Sequence, residues 1–295
     1  MILITGAAGK TGLAVIRSLV AKGVDVRAWV YRPEQKQVME SLGAKEIIVG
    51  DMRSLSTAKQ ALRGVQAVYH ICPNVHPDEV EIGQVLITAA QKVGLNYFVF
   101  HSVLHPQVEA MPHHWKKLRV EEMLLASGLS FTILQPAAYM QNILIHWQKI
   151  STEGVYPIPY AAQTRISMVD LEDVAQVASL VLTEPGHGRA TYELVGSEAL
   201  SQLEVVAVLR ECLGRSVRVE VVSGEEWEKA ARSSGLGTYA IETLVKMFAY
   251  YEQYGFEGNS RVLEWLLGRP VTTFASFVLR VAREQSQRVD KTKRN

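Results

Sequence analysis

The first half of the chain alternates short apolar runs with longer stretches in which apolar residues recur every three or four positions. Short apolar runs predict buried strands, and the three-to-four spacing predicts amphipathic helices. The predicted strands are Ile2–Thr5, Val26–Tyr31, Glu46–Val49, Ala67–Ile71, Tyr97–His101 and Ser130–Gln135. The predicted helices between them are Gly12–Lys22, Pro33–Leu42, Ser54–Leu62, Glu79–Val93 and Trp115–Ala126. This alternation predicts an α/β fold, a doubly wound parallel sheet with helices on both faces.

The pattern loosens from about Ser151, where a second, smaller and mainly helical lobe is expected. We assign residues 1–150 to a nucleotide-binding domain, whose sheet and helices are completed by about residues 166–195, and residues 151–295 to a substrate-binding lobe. The elements predicted there are a helix at Leu171–Leu182, a strand at Thr191–Val195, a helix at Gln202–Leu213, a strand at Val217–Val222 and a helical tract at Gly224–Leu267. Aromatic side chains recur in this tract, where core packing is favoured over a ligand wall. The segment from Glu284 has almost no apolar residues, which predicts a frayed basic tail.

The turn after the first strand carries the strongest chemical signal. The stretch TGAAGKTG, Thr5 to Gly12, places glycines at positions 6, 9 and 12 between a strand and a helix. Glycine lets the backbone turn sharply and approach an anion, and the N-terminus of a helix favours negative charge. A dinucleotide pyrophosphate fits this layout, as in the Rossmann fold. An ordinary tight turn is the alternative, and a nucleoside-triphosphate loop is excluded because no glycine stands five residues before Lys10.

The composition argues against several kinds of partner and site. The chain has 295 residues and a formal net charge of +1, with 31 Lys plus Arg against 30 Asp plus Glu. This balance gives no reason to expect nucleic acid or a membrane surface as a partner. No apolar run reaches the roughly 20 residues of a membrane helix, and the first strand leaves no room for a signal peptide. Cys72 and Cys212 lack metal-ligand spacing and are expected to be reduced thiols in a cytoplasmic protein.

The end of the second strand bears on the choice of cofactor. An NAD-binding chain usually has a carboxylate there, to hold the ribose 2′-hydroxyl. Here the strand ends in Arg32, whose guanidinium can bind a 2′-phosphate, with Lys36 one helical turn on. NADP is therefore expected and NAD is less favoured, although Arg32 could also be a solvated loop residue. Asp51 follows the third strand and could accept from the adenine amino group or cap a helix.

Several stretches together resemble the NmrA-like family of atypical short-chain dehydrogenases/reductases, along essentially the whole chain. These stretches are TGAAGKTG, VYRPEQ, VGDMRS, HSV, VEEMLLASGLSFTILQPAAYMQN and LLGRPVTTFASF. The family includes NADPH-dependent reductases of quinones, dyes and phenylpropanoid ethers, and also NADP-sensing regulators. The resemblance implies the fold, the cofactor and, more loosely, the reaction.

The resemblance also implies catalytic positions. Short-chain dehydrogenases carry Tyr-x-x-x-Lys, and the lysine position falls on Lys117, while the tyrosine position is His113 here. Residues four apart share a helix face, so His113 and Lys117 could point into the same cleft, with His113 as proton donor near its ordinary pKa of about 6.5. Lys116 is expected to be solvated. Ser102, after the fifth strand, is expected to hydrogen-bond the substrate or to bond its own loop.

The remaining site residues follow the strands at the carboxyl edge of the sheet, where ligands bind. Met140, Asn142 and Trp147 are expected near the substrate, and Tyr139 near both substrate and cofactor. A metal held by His105, His113 and His114 is not expected, and Asp170 is interpreted as a helix N-cap. The expected cofactor contacts are Thr5, Gly6, Ala8, Gly9, Lys10, Thr11, Gly12, Arg32, Lys36, Asp51, Met52, Ile71, Cys72, Pro73, His101, Lys117, Pro136, Ala137, Ala138 and Tyr139.

Together these features predict a cytoplasmic NADPH-dependent oxidoreductase, monomeric or homodimeric, that transfers hydride to a small apolar acceptor such as a quinone, enone or aromatic carbonyl. An NADP(H)-sensing regulator without turnover is the first alternative. A nucleotide-sugar epimerase is a weaker one, since Tyr-x-x-x-Lys is missing.

Overall fold

The computed structural model describes residues 1–294, with side chains through position 287, and divides into two compact units. The first unit comprises residues 1–136 and 171–194, and the second comprises residues 137–170 and 195–295. The chain therefore leaves the first unit after the sixth strand and returns to it for one helix and one strand. From the sequence, the boundary was predicted at about residue 150, with the sheet and helices of the first domain completed by about residues 166–195.

A seven-stranded sheet forms the centre of the first unit. Its strands are β1 (Ile2–Ile4), β2 (Val26–Val30), β3 (Glu46–Val49), β4 (Ala67–His70), β5 (Tyr97–His101), β6 (Phe131–Pro136) and β10 (Ala190–Leu194). They lie in the order β10-β6-β5-β4-β1-β2-β3, and every neighbouring pair is parallel. The strand order reverses next to β1, which places the ligand-binding crevice at the carboxyl ends of β1 and its neighbours. The predicted α/β Rossmann fold is confirmed.

The helices of the first unit are α1 (Lys10–Ala21), α2 (Lys36–Ser41), α3 (Leu55–Leu62), α4 (Glu79–Val93), α5 (Pro112–Leu125) and α6 (Leu171–Thr183). A 3₁₀ turn at Pro33–Gln35 precedes α2. Helices α3, α4 and α5 pack through small and aliphatic residues on a core built from the sheet. Side chains in that core include Leu3, Trp29, Val68, Phe98, Phe100 and Ile133.

The second unit contains two small sheets and five helices among the described residues. Strands β7 (Ala138–Tyr139), β9 (Arg165–Val169) and β11 (Ala199–Ser201) form one sheet, and β8 (Val155–Ile158) pairs with β12 (Arg218–Val221). Its helices are α7 (Gln202–Leu213), α8 (Gly224–Ser233), α9 (Thr238–Tyr254), α10 (Arg261–Leu267) and α11 (Phe274–Arg294), beside a 3₁₀ segment (Met140–His146) and a π-helical turn (Lys149–Glu153).

The predicted helical tract of the second unit is three helices, α8, α9 and α10. Aromatic rings pack between elements here: Trp227 lies edge-on to Phe248 at 4.8 Å, and Tyr251 stacks on Phe256 at 4.6 Å. Tyr251 and Phe256 are buried, as the core interpretation predicts, whereas Trp227 and Phe248 are half-buried and Tyr254 is exposed. The last helix, α11, continues to Arg294. Side chains after position 287 and all of Asn295 lie outside the described residues, so the frayed tail expected from Glu284 stays a prediction.

Across the described residues, no helix combines the length and the apolar character that crossing a bilayer requires.

Candidate functional site

Two glycines build the turn between β1 and α1. Gly6 has φ +55°, a left-handed conformation that favours glycine, and a Cβ there would lie 2.8 Å from the Ile71 carbonyl oxygen. A Cβ at Gly12 would lie 2.5 Å from the Gly6 oxygen and 2.6 Å from the Ala7 oxygen. Backbone atoms cannot move aside as a flexible side chain can. Gly6 is therefore required for the turn to pack against the end of β4, and Gly12 is required for α1 to pack against its own turn.

Gly9 has a different role, because its backbone would accept a side chain. It precedes α1 with φ −77° and ψ 162°, is exposed, and a Cβ there would meet only the Gly6 oxygen, at 3.3 Å. In the described structure, Gly9 gives α1 no side-chain cap, and the first turn of the helix holds no carboxylate. The start of α1 is thus suited to an external anion. Ala8 is half-buried beside it, and Lys10 is exposed at the first helical position.

Thr5 fastens β1 to β4. Its hydroxyl accepts from Ile71 N at 2.8 Å, donates to Ile71 O at 3.0 Å, and lies 2.9 Å from His70 Nδ1. The residue is fully buried. The Thr5 hydroxyl therefore has a structural role, and the expected contact of Thr5 with the cofactor stays a prediction. Thr11 is also buried, on the inner side of α1.

Two cations stand at the tip of β2. Arg32 and Lys36 are exposed, and within the described part of the chain neither side chain has a hydrogen-bond or ion-pair partner. The backbone N of Arg32 donates to Gln35 Oε1 at 2.9 Å, which fixes the turn without using the guanidinium. A phosphate could therefore be bound here without breaking an existing ion pair.

Asp51, after β3, is already engaged. Its Oδ1 accepts from the backbone N of Arg53 at 2.9 Å, and the Arg53 guanidinium binds its Oδ2 at 2.6 Å. These hydrogen bonds lower the pKa of Asp51. The N-cap of α3 is Ser54, whose hydroxyl accepts from Thr57 N, so the helix-cap alternative for Asp51 is wrong. The adenine contact stays a prediction, and Met52 packs partly against the core.

The segment after β4 is mostly buried. Ile71 and Cys72 are 8% and 4% exposed, whereas Pro73 is exposed. Burial raises the pKa of the Cys72 thiol, and the nearby Glu79 carboxylate adds to this. The thiol is therefore protonated and unreactive at neutral pH.

Lys117, on α5, lies against the carboxyl end of β5. Its Nζ donates to Glu79 Oε1 at 2.9 Å and to the carbonyl oxygen of His101 at 3.3 Å. The His101 ring is buried and its Nδ1 lies 2.6 Å from the Tyr69 hydroxyl, so its side chain is used inside the sheet. Lys116, expected to be solvated, instead donates to Pro77 O at 2.5 Å. The structure thus separates the two lysines, as the helical spacing predicted.

His113 cannot be the imidazolium proton donor that the sequence suggested. Burial, with the neighbouring His114 and Lys117 adding to it, lowers the pKa of His113 to about 2. The two histidine rings lie edge to face at 4.4 Å. His114 Nδ1 lies 3.3 Å from the carbonyl oxygen of His105, whose φ of +53° is unusual for a non-glycine residue. Among the described residues, no three His, Cys, Asp or Glu side chains are grouped so as to hold a metal ion.

Ser102 is likewise corrected. It is 2% exposed and its hydroxyl donates to Glu121 Oε1. Gln135 Nε2 donates to both oxygens of the same carboxylate, at 2.9 and 3.0 Å. Because its proton is committed to Glu121, Ser102 fastens β5 to α5 and does not present a donor to a substrate. Glu121 and Glu79 were missed from the sequence; Glu121 stands four residues after Lys117, a spacing that could have indicated a shared face.

In the second unit, the predicted substrate residues divide between surface and core. Asn142 is exposed and Tyr139 half-buried. Met140 and Trp147 are corrected to core residues, because they are 2% and 8% exposed and pack with Ile143 and other apolar residues of that unit. Ala137 is buried and Ala138 half-buried, at the pairing of β7 with β9.

Two further positions have structural contacts. Pro136, at the end of β6, accepts from Leu104 N at 2.9 Å. Asp170 directly precedes α6 and is fully buried; its carboxylate accepts from Gln141 at 2.6 Å and from Arg280 at 2.7 Å. The buried Asp170 carboxylate therefore pairs with the half-buried Arg280, and its expected role as an N-cap stays a prediction.

Comparisons with known proteins extend over nearly the whole chain. The model of the NmrA-like family matches residues 1–277. An NAD(P)H azoreductase of Xenophilus azovorans is 30% identical over 279 residues, which cover 94% of this chain and 96% of that protein. Quinone oxidoreductase 2 of Escherichia coli is 28% identical over 282 residues, covering 94% and 97%. The crystal structure of an Escherichia coli NADPH-dependent quinone oxidoreductase complexed with NADPH superimposes with a TM-score of 0.83 at 27% identity, covering 95% of this chain and 99% of that one.

Proposed function

We propose that this chain, which belongs to the NmrA-like family, is an NADPH-dependent oxidoreductase. Its acceptor is a small, largely apolar molecule such as a quinone, an enone or an aromatic carbonyl. The observation that carries the proposal is the glycine turn after β1, where Gly6 and Gly12 shape the backbone and the exposed Gly9 opens the start of α1. The named activities of the two relatives, reduction of azo compounds and of quinones, support the reaction class.

The first unit fits the cofactor at two separate places. The start of α1 offers backbone N–H groups and a helix dipole to the pyrophosphate. Arg32 and Lys36 offer charge to a 2′-phosphate, and no carboxylate follows β2 directly to bind a free 2′-hydroxyl. This charge pattern supports NADP and makes NAD the less favoured cofactor.

The bound cofactor would supply the hydride, and the chain would position and stabilise the reacting groups. As hydride arrives, negative charge develops on the acceptor oxygen, and a nearby cation stabilises it. Lys117 is the residue proposed for this task, because its ammonium lies at the carboxyl end of β5 and is held there by Glu79. The His113 side chain is uncharged at neutral pH, and its proposed role is only to line the site.

The partners proposed for this chain follow from its charge. With 31 basic against 30 acidic side chains, it has no excess of positive charge for nucleic acid. A small-molecule substrate, a cytoplasmic location and a monomeric or homodimeric state complete the proposal. Analytical ultracentrifugation of the purified chain tests the last of these.

Steady-state kinetics test the function. NADPH oxidation is followed at increasing concentrations of a quinone, an enone and an aromatic aldehyde, while calorimetry measures the affinity for NADPH and NADH. The proposal predicts saturable turnover with at least one acceptor and tighter binding of NADPH than of NADH. Tight NADPH binding without turnover of any acceptor would favour the NADP(H)-sensing regulator instead.

A further inference from the structure

Glu79 is a carboxylate removed from water at the first residue of α4. It is 3% exposed, whereas Glu81 on the same helix is exposed. Burying a carboxylate costs free energy unless a charged partner or hydrogen bonds compensate. Here the Lys117 ammonium provides that partner at 2.9 Å, and the N-terminal turn of a helix also favours negative charge. Position 79 therefore stabilises a negative charge directly beside the proposed catalytic lysine.

The Lys117 ammonium has a fixed orientation. Glu79 accepts one hydrogen bond, the His101 carbonyl accepts a second at 3.3 Å, and the Phe100 ring centroid lies 5.4 Å away. An ammonium has three N–H donors, so these contacts leave one donor for a bound molecule. A lysine side chain has a flexible four-carbon stem, so its free ammonium samples many positions. Contacts from both α4 and β5 are thus needed to hold the third donor in one direction.

The histidines around Lys117 are uncharged at neutral pH. Burial is the main cause of the low pKa values of the neighbouring histidines, and the Lys117 charge adds to it. Those pKa values are about 3 for His70, about 3 for His101, about 2 for His113 and about 4 for His114.

The remaining acids and the thiol near the Glu79–Lys117 pair have other partners or are buried. Burial raises the pKa of Glu121, which is hydrogen-bonded to Ser102 and Gln135. Asp78 is paired with Arg53 at 3.1 Å. Burial raises the pKa of the Cys72 thiol. Glu79 is therefore the acid in direct contact with the Lys117 ammonium.

We propose that Glu79 is a positioning residue for the reductase reaction: it holds the Lys117 ammonium and aims its third donor at the acceptor oxygen. This inference rests on the proposed function. A purely structural ion pair would affect folding, whereas a positioning residue affects kcat in a protein that folds and binds NADPH normally.

Three variants separate these possibilities. Glu79→Gln keeps an oxygen that can accept from Lys117 but removes the charge, Glu79→Asp keeps the charge on a shorter side chain, and Glu81→Gln is the control on the same helix. With NADPH and menadione, Glu79→Gln should lower kcat by about 10- to 100-fold, a part of what one donor to a developing oxyanion contributes. The KM for NADPH should change by less than about threefold. Glu79→Asp should recover part of the rate, and Glu81→Gln should match the parent. An unchanged kcat in Glu79→Gln, or a loss that Glu79→Asp does not partly recover, would overturn the proposal.

A second readout does not need turnover. Crystal structures of the parent and of Glu79→Gln, each with bound NADPH, show where the Lys117 ammonium lies. The proposal predicts that Lys117 Nζ keeps its contact with the His101 carbonyl oxygen in the parent and is displaced or disordered in Glu79→Gln, because a neutral amide holds an ammonium less strongly than a carboxylate does. If the parent fails to reduce menadione and every other acceptor but this displacement is found, the reductase function fails while the positioning of Lys117 by Glu79 stands. An unmoved, ordered Lys117 ammonium in Glu79→Gln would overturn the proposal whatever the turnover.

Discussion

A side chain at Gly9 should separate cofactor binding from folding. The backbone there has φ −77° and ψ 162°, which any L-residue can adopt, and an added Cβ would meet only the Gly6 oxygen at 3.3 Å. Valine would instead occupy the exposed start of α1, where the helix N–H groups bind an anion. We therefore expect Gly9→Val to fold and to bind NADPH weakly.

The expected loss of NADPH affinity is larger than the expected change in folding stability. Losing one charge-assisted hydrogen bond from backbone N–H to phosphate costs about 1.5–3 kcal/mol, which is about 10- to 150-fold in Kd. Valine is a poorer N-cap than glycine by about 1 kcal/mol, and the stiffer unfolded chain returns about 0.4–1 kcal/mol. The melting temperature of the apo protein should therefore move by no more than about 4 °C.

Gly237 supplies a matched control. It is the N-cap of α9 with φ −70° and ψ 155°, and an added Cβ there would meet nothing within 4 Å. Calorimetry should show the same small stability change in Gly237→Val and Gly9→Val, but weaker NADPH binding only in Gly9→Val. Parental NADPH affinity in a folded Gly9→Val protein would refute the glycine turn as the phosphate site.

Three further results are expected. Arg32→Ala should remove most of the preference for NADPH over NADH, about 10- to 150-fold for a charge-assisted contact to phosphate, and equal losses for both cofactors in a binding titration would contradict this. Lys117→Ala should lower kcat by about 10²–10³, whereas the exposed Lys92→Ala should not, and full turnover without Lys117 would exclude it from the site. Burial lowers the pKa of His70 to about 3 in the folded protein, so the unfolded chain binds the extra proton below its pKa of about 6.5. As the pH is lowered from about 6.5 to about 3, the unfolding free energy should therefore decrease, by up to about 1.4 kcal/mol per pH unit for this residue. Urea titrations of His70→Asn should show a shallower fall, and an identical slope would contradict the assignment.

The sheet of the first unit could be predicted because its signals are local. Strands β3 and β5 and helix α4 have the predicted bounds, since each is a continuous apolar or periodic segment between turn residues. The second unit was harder because its strands are short: β7 has two residues and β11 has three. Such strands exist through pairing with β9, which the sequence pattern does not show.

The glycine turn could be predicted from the sequence, because Gly6 and Gly12 carry their conformational role in their residue type. The hydrogen-bond partners of side chains that meet across the fold could not be predicted. Ser102 was expected to face a substrate, but Glu121 takes its proton, and that contact exists only once α5 packs on the sheet.

Glu79 is a residue whose proposed function the sequence did not indicate at all. An acid at the start of a helix is common because it favours the dipole, so position 79 gave no signal of a function. Its contact with Lys117 joins residues 38 positions apart. Only the packing of α4 against α5 brings the two together.

The most direct measurement is isotope transfer from the cofactor to an acceptor. NADPH deuterated at C4 of the nicotinamide, on either face, is incubated with the protein and an enone, and the reduced product is analysed by mass spectrometry. We expect one deuterium in the product from one of the two labelled cofactors and none from the other, in the parent and, more slowly, in Lys117→Ala. Product without deuterium from either cofactor, or no product while NADPH is bound, would contradict a hydride-transferring reductase.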